Sequence, residues 1–516
     1  MDLLQAIADW VEKIPAQKAC IHRQDFLTYR QLWDRSDALA VWISTVIPDD
    51  NSPVIVYGHK QPDMLTAFFG CVKAGHAYIP IDAALPTDRI LRIIANSKSK
   101  LILSPTGLPD ELAVDESVTV CDESQKFALS LAGVFNEFSG KRPPLERRVA
   151  LDDNYYIMYT SGSTGEPKGV QLTLGCLTSF VEWGLAEFRI GEKQIFLNQV
   201  PFSFDVSFMD SYLALVSGGT VRCIDKEMIA NPRELFKEFQ AAGDTNIWVS
   251  TPSFAEMCLI EKTFTQSMFP KLHTFLFCGE IFTNKCAQKL IDRFPQAALY
   301  NTYGPTEATV AVTSLPVNQK TIAEYSPLPI GYCKPDCVIR IIDEQGRTLP
   351  DGQKGEIAIV GPSVSPGYFQ NPDLSKKVFY VDQYQGKSFR AYKTGDAGYI
   401  QNGLIFYCGR LDFQVKLHGY RIELGDIEEN LRSIPIVKNA VVLPVIKEGK
   451  CEYLTAFITL AAQEQANDLA LIGSIKKQLA DRLPDYMVPR KIVFKEAMPM
   501  NPNGKVNRKK LQEELQ

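Results

Sequence analysis

A chain of 516 residues is longer than one ordinary hydrophobic core organises, so two or more domains are expected. Its 45% hydrophobic and 22% charged residues are the balance of a soluble globular protein and exclude a disordered one. Lys+Arg 55 against Asp+Glu 60 gives a net charge of −5, which argues against a general nucleic-acid binder, because neutralising phosphates needs clustered positive charge.

The first eleven residues lack the basic region of a signal peptide, and Leu3, Leu4, Ile7, Ala8 and Val11 recur at the spacing of one buried helical stripe. No apolar run is long enough to span a bilayer, so no membrane insertion is expected. Residues 54–57 read as a buried strand, 62–74 as a helix opened by proline and stopped at Gly75, and 78–80 as the next extended piece. A helix near 87–95 and a strand at 101–103 repeat the unit, and 195–197, 221–224 and 247–249 are strands separated by helical stretches. Such alternation implies α/β layers with largely parallel sheets. From about 326 to 407, Gly, Pro and Asp punctuate short β-rich runs such as 338–342 and 356–360, as in a small all-β region. A strand at 439–445 and an amphipathic helix at 468–483 then suggest a compact α+β tail of roughly one hundred residues. The 12 Cys are scattered without a CxxC pair, and nothing near Cys333 and Cys337 completes a zinc set, so a reducing compartment, the cytoplasm, is expected.

Chemistry concentrates in a few segments. Tyr159-Thr160-Ser161-Gly162-Ser163-Thr164-Gly165-Glu166-Pro167-Lys168-Gly169 follows a strand-like run and combines backbone freedom, four Ser/Thr hydroxyls and the point charge of Lys168. Those are the parts that wrap a polyphosphate, although Pro167 breaks the Walker A spacing, and flexible connectors share the composition. In Asn301-Thr302-Tyr303-Gly304-Pro305-Thr306-Glu307, Tyr303 offers a flat face to a purine and Glu307 the hard oxygen that Mg²⁺ prefers beside phosphates. Glu307 could equally favour a helix N-terminus after Pro305. Asp205, in Phe204-Asp205-Val206-Ser207, is either a helix cap, with Ser207, or a carboxylate awaiting a cationic substrate. Thr394-Gly395-Asp396 could be a plain turn, Arg410 a surface arginine, and Lys505, in Asn503-Gly504-Lys505, a solvated lysine.

Taken in order, these segments, with Gly355-Glu356-Ile357, Tyr392-Lys393 and Gly409-Arg410-Leu411-Asp412, resemble the signatures of the adenylate-forming superfamily, which includes amino-acid adenylation domains, acyl-CoA synthetases and firefly luciferases. The resemblance covers most of the chain. It implies a large α/β domain of layered subdomains with a small β-region over 1–411, and a small mobile α+β lid over 412–516 that turns about a hinge at Asp412. It implies ATP contacts from Thr160, Ser161, Gly162, Ser163, Thr164, Gly165, Lys168, Asn301, Thr302, Tyr303, Gly304, Pro305, Thr306, Tyr407, Cys408 and Gly409. Asp396 would accept both ribose hydroxyls, Arg410 would contact ribose and phosphate, Glu307 would ligate Mg²⁺, and Lys505 would be the catalytic lysine at the α-phosphate. Residues 413–426 would face the cleft after the lid rotates, with Gly419 admitting the thiol arm.

Members that activate amino acids place an aspartate at Asp205 for the substrate ammonium. Cys278, in Phe277-Cys278-Gly279-Glu280, and Val310 fall where the family lines its side-chain pocket, and there the sequence looks closest to the D-alanine–D-alanyl carrier protein ligases. A thiol crowding the Cα side would favour a small D-amino acid, since overpacking costs about 1–3 kcal/mol, although a buried Cys is also simply a small hydrophobe. No segment resembles a fused carrier, so a phosphopantetheinylated carrier protein is expected in trans, in a pathway of teichoic acid D-alanylation. Lys476, Lys477 and the basic run 505–510 could steer an acidic carrier or merely aid solubility. An L-amino-acid adenylation enzyme of a peptide synthetase, an acyl-CoA synthetase and a catalytically idle relative are the competing readings.

Overall fold

The structure is a computed structural model that describes residues 1–48, 51–123, 129–160, 166–447, 449–461, 468–500 and 506–515. Close packing divides the chain into two units. The first holds Met1–Ala83, Ile94–Tyr159 and Gly169–Leu411; the second holds Ala84–Ile93, Thr160–Lys168 and Asp412–Gln516. Two short stretches from the first 411 residues thus cluster with the second unit, and the division is not a single cut.

The first unit is built on two largely parallel sheets. A nine-stranded sheet runs Tyr332–Cys333, Thr313–Val317, Ala298–Tyr303, Thr274–Phe277, Ile247–Ser250, Ile195–Asn198, Thr220–Cys223, Lys18–His22, Asp25–Thr28. Only its edges are antiparallel. A six-stranded sheet runs Thr119–Asp122, Leu101–Ser104, Val54–Gly58, Tyr78–Asp82, Asn154–Thr160, Lys168–Thr173. Every residue of Val54–Gly58 is buried, the mark of a strand covered by helices on both faces. The helix after it, Asp63–Lys73, starts behind Pro62, and Gly75 follows it at φ +91°, where a Cβ would meet the Arg147 carbonyl at 2.5 Å. The N-terminal helix Leu3–Lys13 buries Leu3, Leu4, Ile7, Trp10 and Val11 and is capped by Asp2, whose side chain accepts from the Gln5 N–H. A third, antiparallel sheet of Val338–Ile342, Gly355–Val360, Lys387–Gln401, Phe379–Tyr384 and Leu404–Arg410 is the small β-region. The expected α/β layers and β-region are therefore present.

The second unit is α+β. A three-stranded sheet, Val437–Lys447, Lys450–Leu460 and Lys491–Phe494, is packed on one face by the helices Leu424–Arg432 and Asp468–Ala480 through Ile427, Leu431, Ile475 and Leu479. Its other face buries Val441, Leu443 and Phe457 under Leu511 of the helix Arg508–Glu513. A separate hairpin, Gln414–Leu417 with Tyr420–Glu423, precedes these elements. Among the described residues, no helix is long and apolar enough to cross a membrane.

Candidate active site

Loops at the carboxyl ends of parallel strands are where open α/β sheets bind ligands, and three such loops carry the sequence-derived residues of the first unit. The loop after Ile195–Asn198 carries Asp205, Cys278 directly follows Thr274–Phe277, and residues 304–310 follow Ala298–Tyr303.

Asp205 is 4% exposed. The helix behind it, Ser207–Val216, is preceded by Val206 in a helical conformation, so its N-cap position carries no capping side chain, and the Phe208 N–H donates to the Asp205 main-chain carbonyl at 2.9 Å. Phe204 and Val206 pack in the same apolar cluster as Tyr156, Cys278 and Val310. The Tyr156 phenol is held well above its ordinary pKa, first by burial and then by the negative charge of Asp205. The Cys278 thiol donates to the Val310 carbonyl at 3.6 Å. Cys278 and Val310 are thus in contact, and Asp205 is near Tyr156, whose ring lies in the large buried cluster that also holds Cys278 and Val310.

The backbone between 304 and 311 is tightly wound. A Cβ on Gly304 would stand 2.6 Å from the Ala311 Cα and 2.8 Å from the Val310 oxygen. Thr309 and Val310 have φ of +62° and +63°, a conformation that β-branched side chains resist. The Thr309 hydroxyl donates to the Ser363 carbonyl at 2.7 Å, the Ala311 N–H to the Thr309 carbonyl at 2.7 Å, and the Val312 N–H to the Tyr303 carbonyl at 2.8 Å. These bonds hold the strained turn and aim the Val310 carbonyl at Gly304 and Cys278. Glu307, at 0% exposure, accepts from the Tyr368 hydroxyl at 2.8 Å. Asn301 donates to the Pro329 carbonyl and Thr302 to the Phe277 carbonyl, which ties the motif to its sheet.

Asp396 and Arg410 face each other across the strands Lys387–Gln401 and Leu404–Arg410. The Arg410 guanidinium donates to Asp396 Oδ1 at 2.8 Å and to the Thr394 carbonyl at 2.8 Å. Tyr303 gives its hydroxyl to Asp396 Oδ2, and its ring lies 6.3 Å from that of Tyr407. Burial, then Asp396, holds the Tyr303 phenol far above its ordinary pKa, so it stays a donor. The structure therefore brings Tyr303, Asp396, Tyr407 and Arg410 together. Cys408, beside them in the chain, is the one exposed thiol of the twelve.

In the second unit, Thr160 carries a buried hydroxyl with no hydrogen-bond partner among the described residues. Lys168 Nζ lies 3.6 Å from Glu423 Oε1, with both side chains under 10% exposed. Burial raises the Glu423 pKa, and Lys168 pulls it back down. Asp412 is exposed and accepts from the Gln414 N–H at 3.1 Å. Ser161, Gly162, Ser163, Thr164, Gly165 and Lys505 lie outside the described residues. Sequence reading missed Tyr368, Tyr156 and Glu423; each matters through a partner 49 to 255 positions away, by subtraction of the printed numbers, and no local pattern announces that.

The sequence profile of the AMP-binding enzymes matches residues 7–369, and that of the AMP-binding enzyme C-terminal domain matches residues 426–505. The chain belongs to the AMP-binding enzymes. Within this family it is 52% identical over 515 residues to the D-alanine–D-alanyl carrier protein ligase of Bacillus cytotoxicus, and 51% identical over 515 residues to that of Bacillus cereus, with 100% of both chains covered each time. Solved structures share the AMP-binding fold at lower identity. The adenylation domain AlmE of Vibrio cholerae, in complex with glycyl-adenosine-5'-phosphate, superposes with a TM-score of 0.82 at 22% identity, covering 100% of this chain and 97% of that one. The amide bond synthetase McbA of Marinactinospora thermotolerans gives 0.84 at 19% identity and 99% coverage of both.

Proposed function

We propose that this AMP-binding enzyme activates D-alanine with ATP and passes it to the phosphopantetheine thiol of a separate carrier protein, in the cytoplasm, for teichoic acid D-alanylation. In the first step a D-alanine carboxylate oxygen bonds to the α-phosphorus and the bond to pyrophosphate breaks, giving D-alanyl-AMP. In the second, the thiol sulfur bonds to the acyl carbon, AMP leaves with the electron pair, and the thiol proton goes to solvent. The observation that carries the reading is a buried Asp205 and a Cys278–Val310 contact, in a chain that aligns end to end with D-alanine–D-alanyl carrier protein ligases.

Each role follows from an atom. Asp205 meets the substrate ammonium, because a buried carboxylate needs a cation. The Cys278 thiol, held against the Val310 carbonyl, narrows the side-chain pocket and favours a small acid. Asp396 spends one acceptor site on Arg410 and one on Tyr303, and a carboxylate with about four such sites keeps room for two ribose hydroxyls. Thr160 and Lys168 serve the phosphates with a hydroxyl and a charge, together with Ser161 to Gly165. Lys505 stabilises the charge developing on the α-phosphate.

ATP is a substrate, and Mg²⁺ is the metal that such phosphates bring. Among the described residues, no cluster of three or more His, Cys, Asp or Glu could hold a metal unaided. One buried carboxylate, Glu307, fits the way Mg²⁺ is bound beside phosphates, through one or two protein oxygens. When bound there, the ion would neutralise phosphate charge as pyrophosphate departs.

An amino-acid-dependent pyrophosphate–ATP exchange panel tests the reading. D-alanine should stand well ahead of L-alanine and of every larger amino acid. Preference for an L-amino acid or a fatty acid would overturn it.

A further inference from the structure

The hairpin of the second unit poses a question of mechanical support. Its strands, Gln414–Leu417 and Tyr420–Glu423, are joined by His418 and Gly419 at φ +53° and +85°, the two-residue turn with both positions left-handed. An isolated two-stranded hairpin is marginal in water, so its shape must be imposed by neighbours. Near its open end, the Arg421 Nε donates to Gln414 Oε1 at 2.8 Å, and the Gln414 amide donates to Glu423. Leu417 and Ile422 are buried in the unit's core. At the turn, the support of different kind is aromatic: the Tyr420 ring lies flat on the Tyr486 ring, with centroids 3.7 Å apart and planes 5° from parallel.

Tyr486 is well placed to be a rigid platform. It sits in the 3-10 turn Asp485–Met487, between Pro484, which has no N–H to give and a fixed φ, and Met487, which is fully buried in the same core. The Met487 N–H donates to the Pro484 carbonyl at 2.8 Å and the Val488 N–H to the Asp485 carbonyl at 3.1 Å, which closes the turn on itself. A ring carried by such a turn has few ways to move. Tyr420 is the first residue after Gly419, so the platform acts within one residue of the turn's tip.

We infer that Tyr486 is a positioning residue for the thioester-forming step: by stacking under Tyr420 it fixes the turn at Gly419 where the phosphopantetheine arm must pass. This rests on the proposed function and on the superfamily resemblance, by which residues 413–426 face the cleft in the second half-reaction. The adenylation half-reaction draws on Asp205, Asp396, Glu307 and Lys505, none of which belongs to the hairpin, and on Lys168, which meets the hairpin at Glu423, at the end opposite the turn. Loss of the platform therefore separates the two steps. Misplacing a positioned group by an ångström is enough to cost about 10²-fold in rate, and the stack beside the tip is a contact whose loss permits that.

The experiment measures both half-reactions on the full-length enzyme. In Tyr486→Ala, transfer from preformed D-alanyl-AMP to holo-carrier should fall at least about tenfold in kcat, while D-alanine-dependent exchange stays within about twofold and Tm is unchanged. Tyr486→Phe keeps the ring and should restore transfer. If Tyr486→Ala fails to fold, Tyr420→Leu removes the same stack from the other side and should give the same selective loss. Equal loss in both half-reactions, transfer unchanged in the Ala variant, or no rescue by Phe would overturn the inference. Failure of the functional reading looks different, because wild-type enzyme would then show no D-alanine-dependent exchange or no thioester at all.

Discussion

Asp205 and Lys73 are both buried charged side chains, and they differ in where their counter-charge comes from. Lys73, at 0% exposure, meets Asp37 at 2.7 Å and stands 3.3 Å from the centre of the Trp33 ring. Burial pulls its pKa down to about 7, and Asp37 opposes the shift. The folded state therefore binds fewer protons than the unfolded chain between pH 7 and 10.5, and stability rises with pH through that window. Replacing the pair with apolar residues, Lys73→Met with Asp37→Leu, should abolish the part of the rise in Tm between pH 7 and 9 that comes from Lys73; a rise identical to the wild type's would show that Lys73 is charged throughout. Replacing a buried ion pair is often neutral or stabilising by about 1–4 kcal/mol, so the double variant should remain folded. Asp205, in our reading, is matched by the ammonium of the substrate. Asp205→Ala should raise KM for D-alanine by at least about 30-fold, the equivalent of roughly 2 kcal/mol for a truncated buried charge pair, with KM for ATP hardly moved. A D-alanine KM that barely changes in exchange kinetics would detach Asp205 from the amine.

At the scale of elements, the loop from Gly304 to Ala311 shows what a motif hides. The sequence marks Gly304-Pro305 as a turn and Glu307 as an oxygen donor, and both readings are local. That Gly304 faces the Val310 carbonyl, that Thr309 and Val310 adopt left-handed angles, and that Tyr368 holds Glu307 depend on chain returning from elsewhere. Local propensity in fact points the wrong way for Thr309 and Val310, since β-branched residues avoid positive φ; a surrounding structure that over-determines the turn is what permits it. Gly304→Ala should force the Ala311 backbone aside, lower kcat/KM for exchange at least about 100-fold, and cost about 1–3 kcal/mol by overpacking. Wild-type exchange in that variant would mean that the 304–311 turn does not position the substrate. Strands such as Val54–Gly58 are legible, because a continuous apolar run is what a doubly covered parallel strand requires, whereas Lys18–His22, Ala298–Tyr303 and Lys450–Leu460 went unread.

For the whole molecule, the chain crosses from one unit to the other at Leu411 and Asp412, and the stretch 411–413 is exposed. Exposed residues at a junction leave backbone rotation unopposed by core packing, which suits the proposed hinge at Asp412. Asp412→Pro would fix φ near −65° and favour one of two states. The ratio of adenylation rate to transfer rate should then change by at least about tenfold, in whichever direction the fixed angle allows. Two half-reactions that keep their wild-type ratio would remove Asp412 from the hinge role. The order of motifs was enough to read the family and its two parts from sequence. It could not reveal that 84–93 and 160–168 cluster with residues beyond 411, because membership of a compact unit is decided by neighbours in space.

The distribution of the thiols has a practical corollary. Eleven of twelve cysteines are screened to some degree and Cys408 alone stands open, directly before Gly409-Arg410. A maleimide or iodoacetamide reagent applied to the native enzyme would thus address a single position without any engineering. Occupancy of the nucleotide site proposed at Asp396 and Arg410 should then be readable as a slowed labelling rate.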